Sequence, residues 1–351
     1  MPKSEKPRRC TLLDIAQRTG FTVNTVSRAL KDKSDISVAT REQIKAVADE
    51  MGYVRNRAAS SLRSGRTKTI GVIVGGMSNP FYGIMTDAIQ NAAAEHGYSI
   101  LIFCSRDHIE TELRMVETAL SYQVDGILLF PCADSALTIK RLKAVGMPYA
   151  LMARHLGRDE DDYVVCDDEE GGYLAARHLL EAGHTRLGFL SSFNVVYSSE
   201  RRIHGFYRAL DEFGIPRENG LTACCSGGVG AGQQLDYWRQ IGVTGMFVFC
   251  DEEAWRAVSY LQAQGHSIPR DMAIVGFDNI QGRLPIPAPL CSVEYNITGM
   301  AQSGIDLLRS RIHQSDLPPQ HVVYPPSLVC RCSCGSAAKD GCNPQNHPYF
   351  R

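Results

Sequence analysis

The sequence predicts an α/β protein in which an N-terminal all-α head precedes a core of doubly wound parallel sheets. Three observations support this fold class. Apolar residues recur at helical spacing over the first 51 residues. From Thr69 onward, short β-branched apolar runs alternate with helical stretches, as expected of buried parallel strands and their crossover helices. The same alternation restarts after Asp167, which predicts two βαβ halves.

The first two helices of the head are predicted by their capping signals. Thr11 is followed three residues later by Asp14, which is the capping-box pattern, and Gly20 is suited to end the first helix. Thr22 is then placed to cap a second helix over residues 23–30. The short turn between Gly20 and Thr22 predicts that these two helices pack against each other.

A third helix over roughly residues 38–51 completes a helix-turn-helix pattern. In that pattern the second helix enters the major groove of DNA with its N-terminal residues leading. Its solvent face carries the residue types that read base edges or contact phosphates, namely amide, guanidinium, hydroxyl and small apolar side chains. These residues are Val23, Asn24, Thr25, Ser27 and Arg28.

Charge is divided unevenly along the chain. The whole sequence has a net charge of −1, yet residues 1–66 hold 14 Lys and Arg against 7 Asp and Glu, and the remainder holds 23 against 31. A basic head on an acidic body predicts that the head meets a polyanion and that the body meets a different partner.

The core is predicted element by element from short apolar runs and the helical stretches between them. In the first half, strands are predicted at residues 70–74, 99–103, 126–130 and 149–152. Between them, one helix is predicted to end near residue 96, one to span about 110–123 and one to end near 146. In the second half, strands are predicted at 186–190, 221–225, 246–249 and 272–275, with helices near 172–183, 205–214, 231–240 and before 265. Two crossover segments follow near 290–293 and 322–328.

Three motifs in the head carry a resemblance to a known family. They are TVSRAL at residues 25–30, MGYVRN at 51–56 and SLRSGRTKTIGV at 61–72. In this order and spacing they resemble the head of the LacI/GalR family of bacterial transcriptional regulators. The core resembles the two-lobed periplasmic-binding-protein fold that this family uses as its regulatory part, so the resemblance covers nearly all of residues 1–335.

The resemblance implies a set of DNA-contacting residues. Val23 and Asn24 match the variable base-reading positions, and Arg28 matches the shared one. The positions that contact the phosphate backbone are matched by Thr25, Ser27, Ser37, Tyr53 and Asn56, and Thr22 is added to this set as the cap of the reading helix. Residues 57–66 match a hinge helix that forms when two subunits pair on DNA, and Leu62 matches the leucine that wedges into the minor groove.

Ligands of doubly wound sheets bind outside the carboxyl ends of the strands, so the residues that follow each strand are the effector candidates. An aromatic side chain, carboxylates and arginines converging there suit a polyhydroxylated ligand. The candidates are Asn79, Phe81, Arg154, Ser198, Arg202, Cys250, Asp251, Asp278 and Tyr295.

By resemblance, Arg202 and Asp278 match the family's effector-contacting arginine and aspartate. Two residues depart from the family pattern: Cys250 stands where asparagine is common, and Ala153 stands where an aspartate often precedes the arginine. Both departures remove a polar partner, so a common hexose is not the expected ligand. A deoxy or modified sugar, a nucleobase-like ligand and a sugar phosphate all remain open.

The sequence therefore divides into four regions. We expect a helix-turn-helix domain at 1–56, a hinge or linker at 57–66, an effector-binding and dimerisation core at 67–335, and a cysteine-containing flexible tail at 336–351. Within the core we expect an N-lobe of about 67–165 and 292–320 and a C-lobe of about 166–291 and 321–335.

These observations predict a sequence-specific, DNA-binding transcriptional repressor that works as a homodimer on a pseudo-palindromic operator of double-stranded DNA. A small effector, a sugar or sugar derivative, is expected between the lobes. No enzyme activity is expected, because the sequence lacks a Walker loop and the HExxH, GxSxG and GxGxxG motifs. No cofactor, metal site or membrane partner is expected, and with neither a signal peptide nor a long apolar run the chain is expected in the cytoplasm.

Two alternatives remain at this point. The cysteines Cys330, Cys332, Cys334 and Cys342, with His347, could make the protein a metal- or redox-responsive regulator. A sugar-binding protein without a DNA function, in which the head only dimerises, is the other.

Overall fold

The computed structural model describes residues 10–54, 65–191, 196–225, 230–284 and 289–335. The chain forms two compact units, of which the first ends at Thr67 and the second begins at Lys68. Residues 57–64 of the hinge expected at 57–66, the tail at 336–351, and the predicted DNA contacts Asn56 and Leu62 lie outside the described residues.

The first unit contains the three predicted helices. They are α1 (Leu12–Thr19), α2 (Val23–Ala29) and α3 (Val38–Glu50). The backbone N–H of Asp14 is bound by the side chain of Thr11, and the carboxylate of Asp14 accepts from the backbone N–H of Thr11, so the predicted capping box is present. Gly20 ends α1 with φ of 77°, a left-handed conformation that favours glycine.

The helices of the first unit enclose a small apolar core. Its fully buried members are Ile15, Ala16, Val26, Ala29, Ile44 and Ala48. On α2 and α3 they recur three or four residues apart, which is the spacing that a helix needs to present one apolar face, and on α1 they are adjacent. The all-α head predicted from the sequence is confirmed.

The second unit alternates strands and helices. Its strands are β1 (Thr69–Val74), β2 (Ser99–Cys104), β3 (Gly126–Leu129), β4 (Tyr149–Met152), β5 (Tyr163–Cys166), β6 (Leu187–Ser191), β7 (Gly220–Cys224), β8 (Gly245–Val248), β9 (Ala273–Phe277), β10 (Cys291–Glu294), β11 (His321–Tyr324) and β12 (Ser327–Val329). Its helices are α4 (Pro80–Glu95), α5 (Ile109–Ser121), α6 (Ala136–Ala144), α7 (Asp168–Glu181), α8 (Tyr197–Glu212), α9 (Ala231–Gln240), α10 (Asp251–Ala263) and α11 (Ile297–His313).

The strands form two six-stranded sheets, one in each lobe. The first has the order β11-β5-β4-β3-β1-β2 and the second the order β12-β10-β9-β8-β6-β7. All pairings are parallel except that of β12 with β10. Chain order reverses at β1 in the first sheet and at β6 in the second, which makes both sheets doubly wound and confirms the predicted fold class.

Successive side chains along each central strand point to opposite faces of the sheet, and both faces are buried. In the first lobe, Val72 packs with α4 and α11, whereas the next residue, Ile73, packs with α5 and α6. In the second lobe, Phe247 packs with α7 and α8, whereas Val248 packs with α9 and α10. Continuous apolar strands are required because helices cover both faces.

The chain first crosses between the lobes where the sequence predicts, near residue 166, whereas its two later crossings fall a few residues beyond the predicted points. Strand β5 was not predicted, but the crossing that follows it lies at the expected boundary, where Asp167 caps α7 by accepting from the N–H of Glu170. Residues 292–294, expected in the N-lobe, belong to β10 and pair with β9 in the second sheet. Residues 321–324, expected in the C-lobe, form β11 and pair with β5 in the first sheet. Backbone pairing with a distant strand decided these assignments.

Helices α7 and α8 lie against each other at backbone contact. A Cβ atom added to Gly172 would lie 2.1 Å from the carbonyl oxygen of Arg202, and one added to Gly205 would lie 1.9 Å from the carbonyl oxygen of Glu169. The two glycines therefore allow the close approach that sets Arg202 beside the first turn of α7.

Within the part of the chain that the structure describes, no helix combines the length and the apolar character needed to cross a bilayer.

Candidate functional site

The second helix of the head presents the predicted base-reading residues to solvent. Val23, Asn24 and Arg28 are exposed, and Thr25 and Ser27 are partly exposed. The guanidinium of Arg28 pairs with the carboxylate of Asp35. Exposure of Asn24 and Arg28 is the condition that base contact requires, because a side chain buried inside the head could not reach a groove.

Two of the predicted phosphate-contacting residues also cap helices. The hydroxyl of Thr22 accepts from the N–H of Thr25 at 3.1 Å, and that of Ser37 accepts from the N–H of Thr40 at 3.2 Å. These bonds stabilise α2 and α3 in the absence of DNA. Tyr53 is half-buried and packs against the head core. The roles of these residues on DNA stay predictions.

A cavity in the second unit lies where the carboxyl ends of both sheets meet. Eight of the nine predicted effector contacts line it: Asn79, Phe81, Arg154, Ser198, Arg202, Cys250, Asp278 and Tyr295. Tyr82, Ala153, Cys166, Phe249 and Met300 complete the lining. The lining combines charged groups, a hydroxyl and aromatic rings, as expected of a small-ligand site.

Arg202 is held from three sides. Its Nε donates to Asp168 Oδ1 at 2.8 Å, its Nη2 forms an ion pair with the same oxygen at 2.8 Å, and its Nη1 donates to the carbonyl oxygen of Phe249. Its guanidinium carbon lies 3.4 Å from the ring centroid of Phe277 and 4.3 Å from that of Phe249. Burial raises the pKa of Asp168, although the arginine acts in the opposite direction. A buried guanidinium fixed in this way offers donors in a defined orientation.

Asp278 receives a hydrogen bond from Tyr295, whose hydroxyl donates to Oδ1 at 2.9 Å. Burial raises the pKa of Asp278 to about 6, while the Arg202 guanidinium and the Tyr295 hydroxyl act to lower it. The carboxylate is therefore mostly ionised at neutral pH and can accept hydrogen bonds from ligand hydroxyls.

Arg154 enters the cavity from the first lobe. Its Nη1 donates to Asp107 Oδ1 at 2.8 Å. Arg154 follows the end of β4, and Asp107 lies shortly after the end of β2, so the carboxyl ends of two strands of the first sheet supply the pair. Arg154 and Arg202 thus contribute one arginine from each lobe, and each is accompanied by a carboxylate.

The remaining wall is apolar on one side and hydroxyl-bearing on the other. Phe81 and Tyr82 pack edge to face, with ring centroids 5.2 Å apart. Asn79 caps α4 by accepting from the N–H of Phe81, and its amide donates to the sulfur of Cys250 at 3.9 Å. The buried Ser198 hydroxyl has no hydrogen-bond partner among the described residues, which leaves it available to a ligand.

Asp251 does not line the cavity, contrary to its prediction from the sequence as an effector contact. It is fully buried and accepts from the Ser292 hydroxyl at 2.7 Å and from the N–H of Ile280 at 2.8 Å. Burial raises the pKa of Asp251 to about 8, and the nearby charge of Asp278 contributes to the increase. Its position as the first residue of α10 turns its carboxylate towards β10, so it supports the strand and has no place in the cavity lining.

The sequence placed Asp168 at the interlobe crossover, but it indicated neither the pairing of Asp168 with Arg202 nor the place of Asp107 beside Arg154. Asp107 lies shortly after the carboxyl end of β2, which is the position expected of a ligand contact in a doubly wound sheet. Asp168 was visible at the crossover, but its pairing with Arg202 depends on the packing of α7 against α8. Tyr82, Phe249 and Met300 read from sequence as ordinary core residues.

Comparison with known proteins supports both units. A model of bacterial regulatory proteins of the lacI family matches residues 11–56, and a model of periplasmic binding protein-like domains matches residues 176–334. The HTH-type transcriptional regulator DegA of Bacillus subtilis (strain 168) is 32% identical over 333 residues, which cover 92% of this chain and 97% of that protein.

Two solved structures are similar over most of the chain. The transcriptional regulator CelR in complex with cellobiose has a TM-score of 0.66 at 27% identity, covering 92% of this chain and 99% of that one. The Lac repressor dimer bound to operator and the anti-inducer ONPF has a TM-score of 0.79 at 23% identity, covering 92% and 98%, a likeness of fold. The relatives found are transcriptional regulators and not enzymes.

Proposed function

The chain belongs to the LacI family of DNA-binding transcriptional regulators, and from this premise we propose that it is a repressor whose operator affinity is set by a small effector held between the lobes of its core. The observation that carries the proposal is the convergence of eight side chains, each selected for its place near a strand end, on one cavity. We expect the protein to act in the cytoplasm, where the operator is.

The effector is proposed to be an uncharged sugar or sugar derivative. Each cavity arginine is accompanied by a carboxylate, Asp107 for Arg154 and Asp168 for Arg202, and Asp278 adds a further carboxylate. The site therefore has no surplus of positive charge to offset the desolvation of a phosphate. Alternating donors and acceptors beside an aromatic wall suit hydroxyl groups on a ring. The cellobiose complex of CelR is consistent with this class.

The effector would act by joining the lobes. Asn79 and Arg154 belong to the first lobe, whereas Arg202 and Asp278 belong to the second. A ligand that contacts both pairs binds one interlobe angle more tightly than another and so shifts the population towards it. Coupling of that angle to DNA affinity must be reciprocal, so operator DNA changes effector affinity by the same factor.

On DNA we propose a homodimer that binds two half-sites about one helical turn apart. The Lac repressor, which shares the fold, is a dimer on its operator in the solved structure. A two-fold symmetric protein requires a pseudo-palindromic operator, because each copy presents the same α2 face to its half-site.

Arg28→Ala tests the DNA half of the proposal. After an operator has been selected from a random duplex pool, the variant should lose roughly 1–3 kcal/mol of binding free energy, or about 5- to 150-fold in affinity, because a base contact is removed. Fluorescence anisotropy at several salt concentrations measures the loss. Arg18→Ala on α1, an exposed arginine paired with Glu50, is the matched control. Equal losses in the two variants, or no salt-dependent duplex binding by the parent, would contradict the assignment and favour a sugar-binding protein without a DNA function.

Arg202→Ala tests the effector half. A thermal-shift screen of neutral sugars, sugar acids, sugar phosphates and nucleobases identifies the ligand, because a ligand that binds only the native state raises Tm. The variant should keep operator binding and lose the response to that ligand. Arg201→Ala, whose side chain pairs with Glu169 on the same helix, is the control and should keep both. Loss of operator binding in a folded Arg202→Ala protein would refute the proposal that the core binds the effector and the head binds DNA.

A further inference from the structure

Three cysteines and one histidine from separate parts of the chain meet in the second lobe. His178 lies on α7, Cys291 begins β10, Cys330 directly follows β12, and Cys334 lies in the turn after it. Their three sulfur atoms and one imidazole nitrogen all lie within 4.8 Å of one another. We name these four residues the Cys3His cluster. It lies outside the cavity lining and supplies none of the effector contacts proposed above.

The one sulfur–sulfur distance known within the cluster matches tetrahedral metal coordination. A zinc–sulfur bond of about 2.3 Å at the tetrahedral angle places two sulfur ligands about 3.8 Å apart. The sulfurs of Cys330 and Cys334 are 3.7 Å apart. The backbone N–H of Arg331 donates to the sulfur of Cys291 at 3.0 Å, a bond that stabilises a thiolate. The cluster thus has one ligand–ligand distance and one outer hydrogen bond that a bound ion would require.

Burial gives a second, independent indication. Cys291 and Cys334 are fully buried, and Cys291, Cys330 and Cys334 are thiols and not half-cystines. The Nε2 atom of His178 is buried and finds no hydrogen-bond partner among the residues that the structure describes. A buried imidazole nitrogen without a partner costs free energy that a metal–nitrogen bond would recover.

We propose that the Cys3His cluster binds one Zn²⁺ ion as a closed structural site. Three soft sulfur ligands and one imidazole are the donor set that selects zinc in tetrahedral geometry. On binding, the three thiols release their protons to solvent and the imidazole binds in its neutral form. The protein fills all four positions, which leaves none open for a water or a substrate.

The ion would join α7, β10 and the segment after β12 at the end of the sheet opposite the effector cavity. Cys291 is at the amino end of β10, whereas Asp278 and Tyr295 follow the carboxyl ends of β9 and β10. Helix α7 connects the two regions, because Asp168 at its first residue pairs with Arg202 and His178 lies ten residues further along. Ten residues of α-helix span about 15 Å. The metal fixes the far end of the helix that positions the effector arginine.

The sequence contained only part of this signal. Cys330 and Cys334 have the C-x3-C spacing of zinc ligands, but the intervening Cys332 obscures it. The structure places Cys332 in a different part of the core, among residues packed with α9 and α10, and as a half-cystine. His178 and Cys291 are too distant in sequence for spacing to reveal them.

Metal analysis of untagged, full-length protein purified under reducing conditions tests the proposal. We expect one zinc per chain by inductively coupled plasma mass spectrometry and a lower Tm after removal by a chelator. Cys330→Ser and Cys334→Ser should each reduce zinc content at least tenfold. Cys225→Ser, a partly buried cysteine of the same lobe outside the cluster, is the matched control and should retain one zinc.

X-ray absorption at the zinc edge keeps the proposal testable if the serine variants fail to fold. The parent protein should show three sulfur ligands and one nitrogen ligand. A zinc-free chain after expression and reduction in the presence of zinc would overturn the proposal. So would full zinc retention by Cys330→Ser, or an oxygen-rich coordination shell, which would indicate adventitious surface binding.

Discussion

Two non-glycine residues of the cavity adopt left-handed backbone conformations. Ala153, after β4, has φ of 59°, and Asp278, after β9, has φ of 97°. Such conformations cost about 1–3 kcal/mol and persist where the surroundings impose them. Here each turn brings the chain sharply off a strand end, so that Arg154 and Asp278 line the cavity. Backbone strain and burial of polar groups thus coincide at the site that binds the proposed effector.

The stability of Asp278→Asn, measured relative to that of the parent, should be higher at neutral pH than in acid. The pKa of Asp278 is about 6 in the folded protein against 3.8 ordinarily. A raised carboxyl pKa gives a stabilising contribution that is fully present below the ordinary pKa and is lost as pH rises through 6. The parent therefore loses on the order of 2–3 kcal/mol between pH 4 and 7 from this group, whereas the variant does not.

Thermal unfolding of parent and variant at a series of pH values measures this difference. The Tm of Asp278→Asn minus that of the parent should increase from pH 4 to pH 7 and then level off. A difference that is constant across this range would show that Asp278 titrates at its ordinary pKa. Arg202, Asp168 and Arg154 face the carboxyl group in both proteins, so their own charges largely cancel in the comparison.

At the scale of elements, the contact between α7 and α8 positions the effector arginine. Gly172 and Gly205 leave no room for a Cβ atom, because the nearest atoms are backbone oxygens of the opposing helix. Backbone cannot move aside as the end of a flexible side chain can, so any added carbon must separate the helices. Separation would loosen the pair between Arg202 and Asp168.

Gly172→Ala and Gly205→Ala should each destabilise the protein by roughly 1–3 kcal/mol or more, the range for overpacking, and weaken effector binding as well. Gly83→Ala on α4 is the control, because its added Cβ meets no atom within 4 Å. That variant should gain about 0.5–1 kcal/mol from lower unfolded-state entropy. Calorimetry and ligand titration give the two readouts. If Gly172→Ala is as stable as Gly83→Ala, the helices do not touch as described.

At the scale of the whole molecule, the chain separates into two units with their own cores. The division falls between Thr67 and Lys68. Each unit buries a complete apolar core, that of the head being small and that of the second unit being divided between two lobes. Units built in this way are expected to fold independently.

A fragment of residues 68–351 should therefore fold and retain the parent's Tm for the effector-binding unit to within a few degrees. It should bind the effector found in the screen and show no salt-dependent affinity for the operator, because α2 is missing. Circular dichroism, ligand titration and anisotropy measure the three properties. A fragment that is unfolded, or that still binds the operator, would contradict the separation of the two activities.

The sequence by itself determined most of the local elements and most of the strand-end residues of the cavity. The capping box at Thr11, the cap at Thr22 and the apolar runs of β1 and β8 are recorded in contiguous residues. Caps depend on neighbours within four positions, and strand faces depend on a period of two, so a linear reading is sufficient for them.

Only the tertiary structure decided which distant residues are partners. It placed β10 in the second sheet and β11 in the first, paired Asp168 with Arg202, and removed Asp251 from the cavity. It also brought His178 and Cys291 to the cysteines near residue 330. These outcomes depend on strand pairing and helix packing between residues far apart in the chain, and no local period or spacing encodes such contacts.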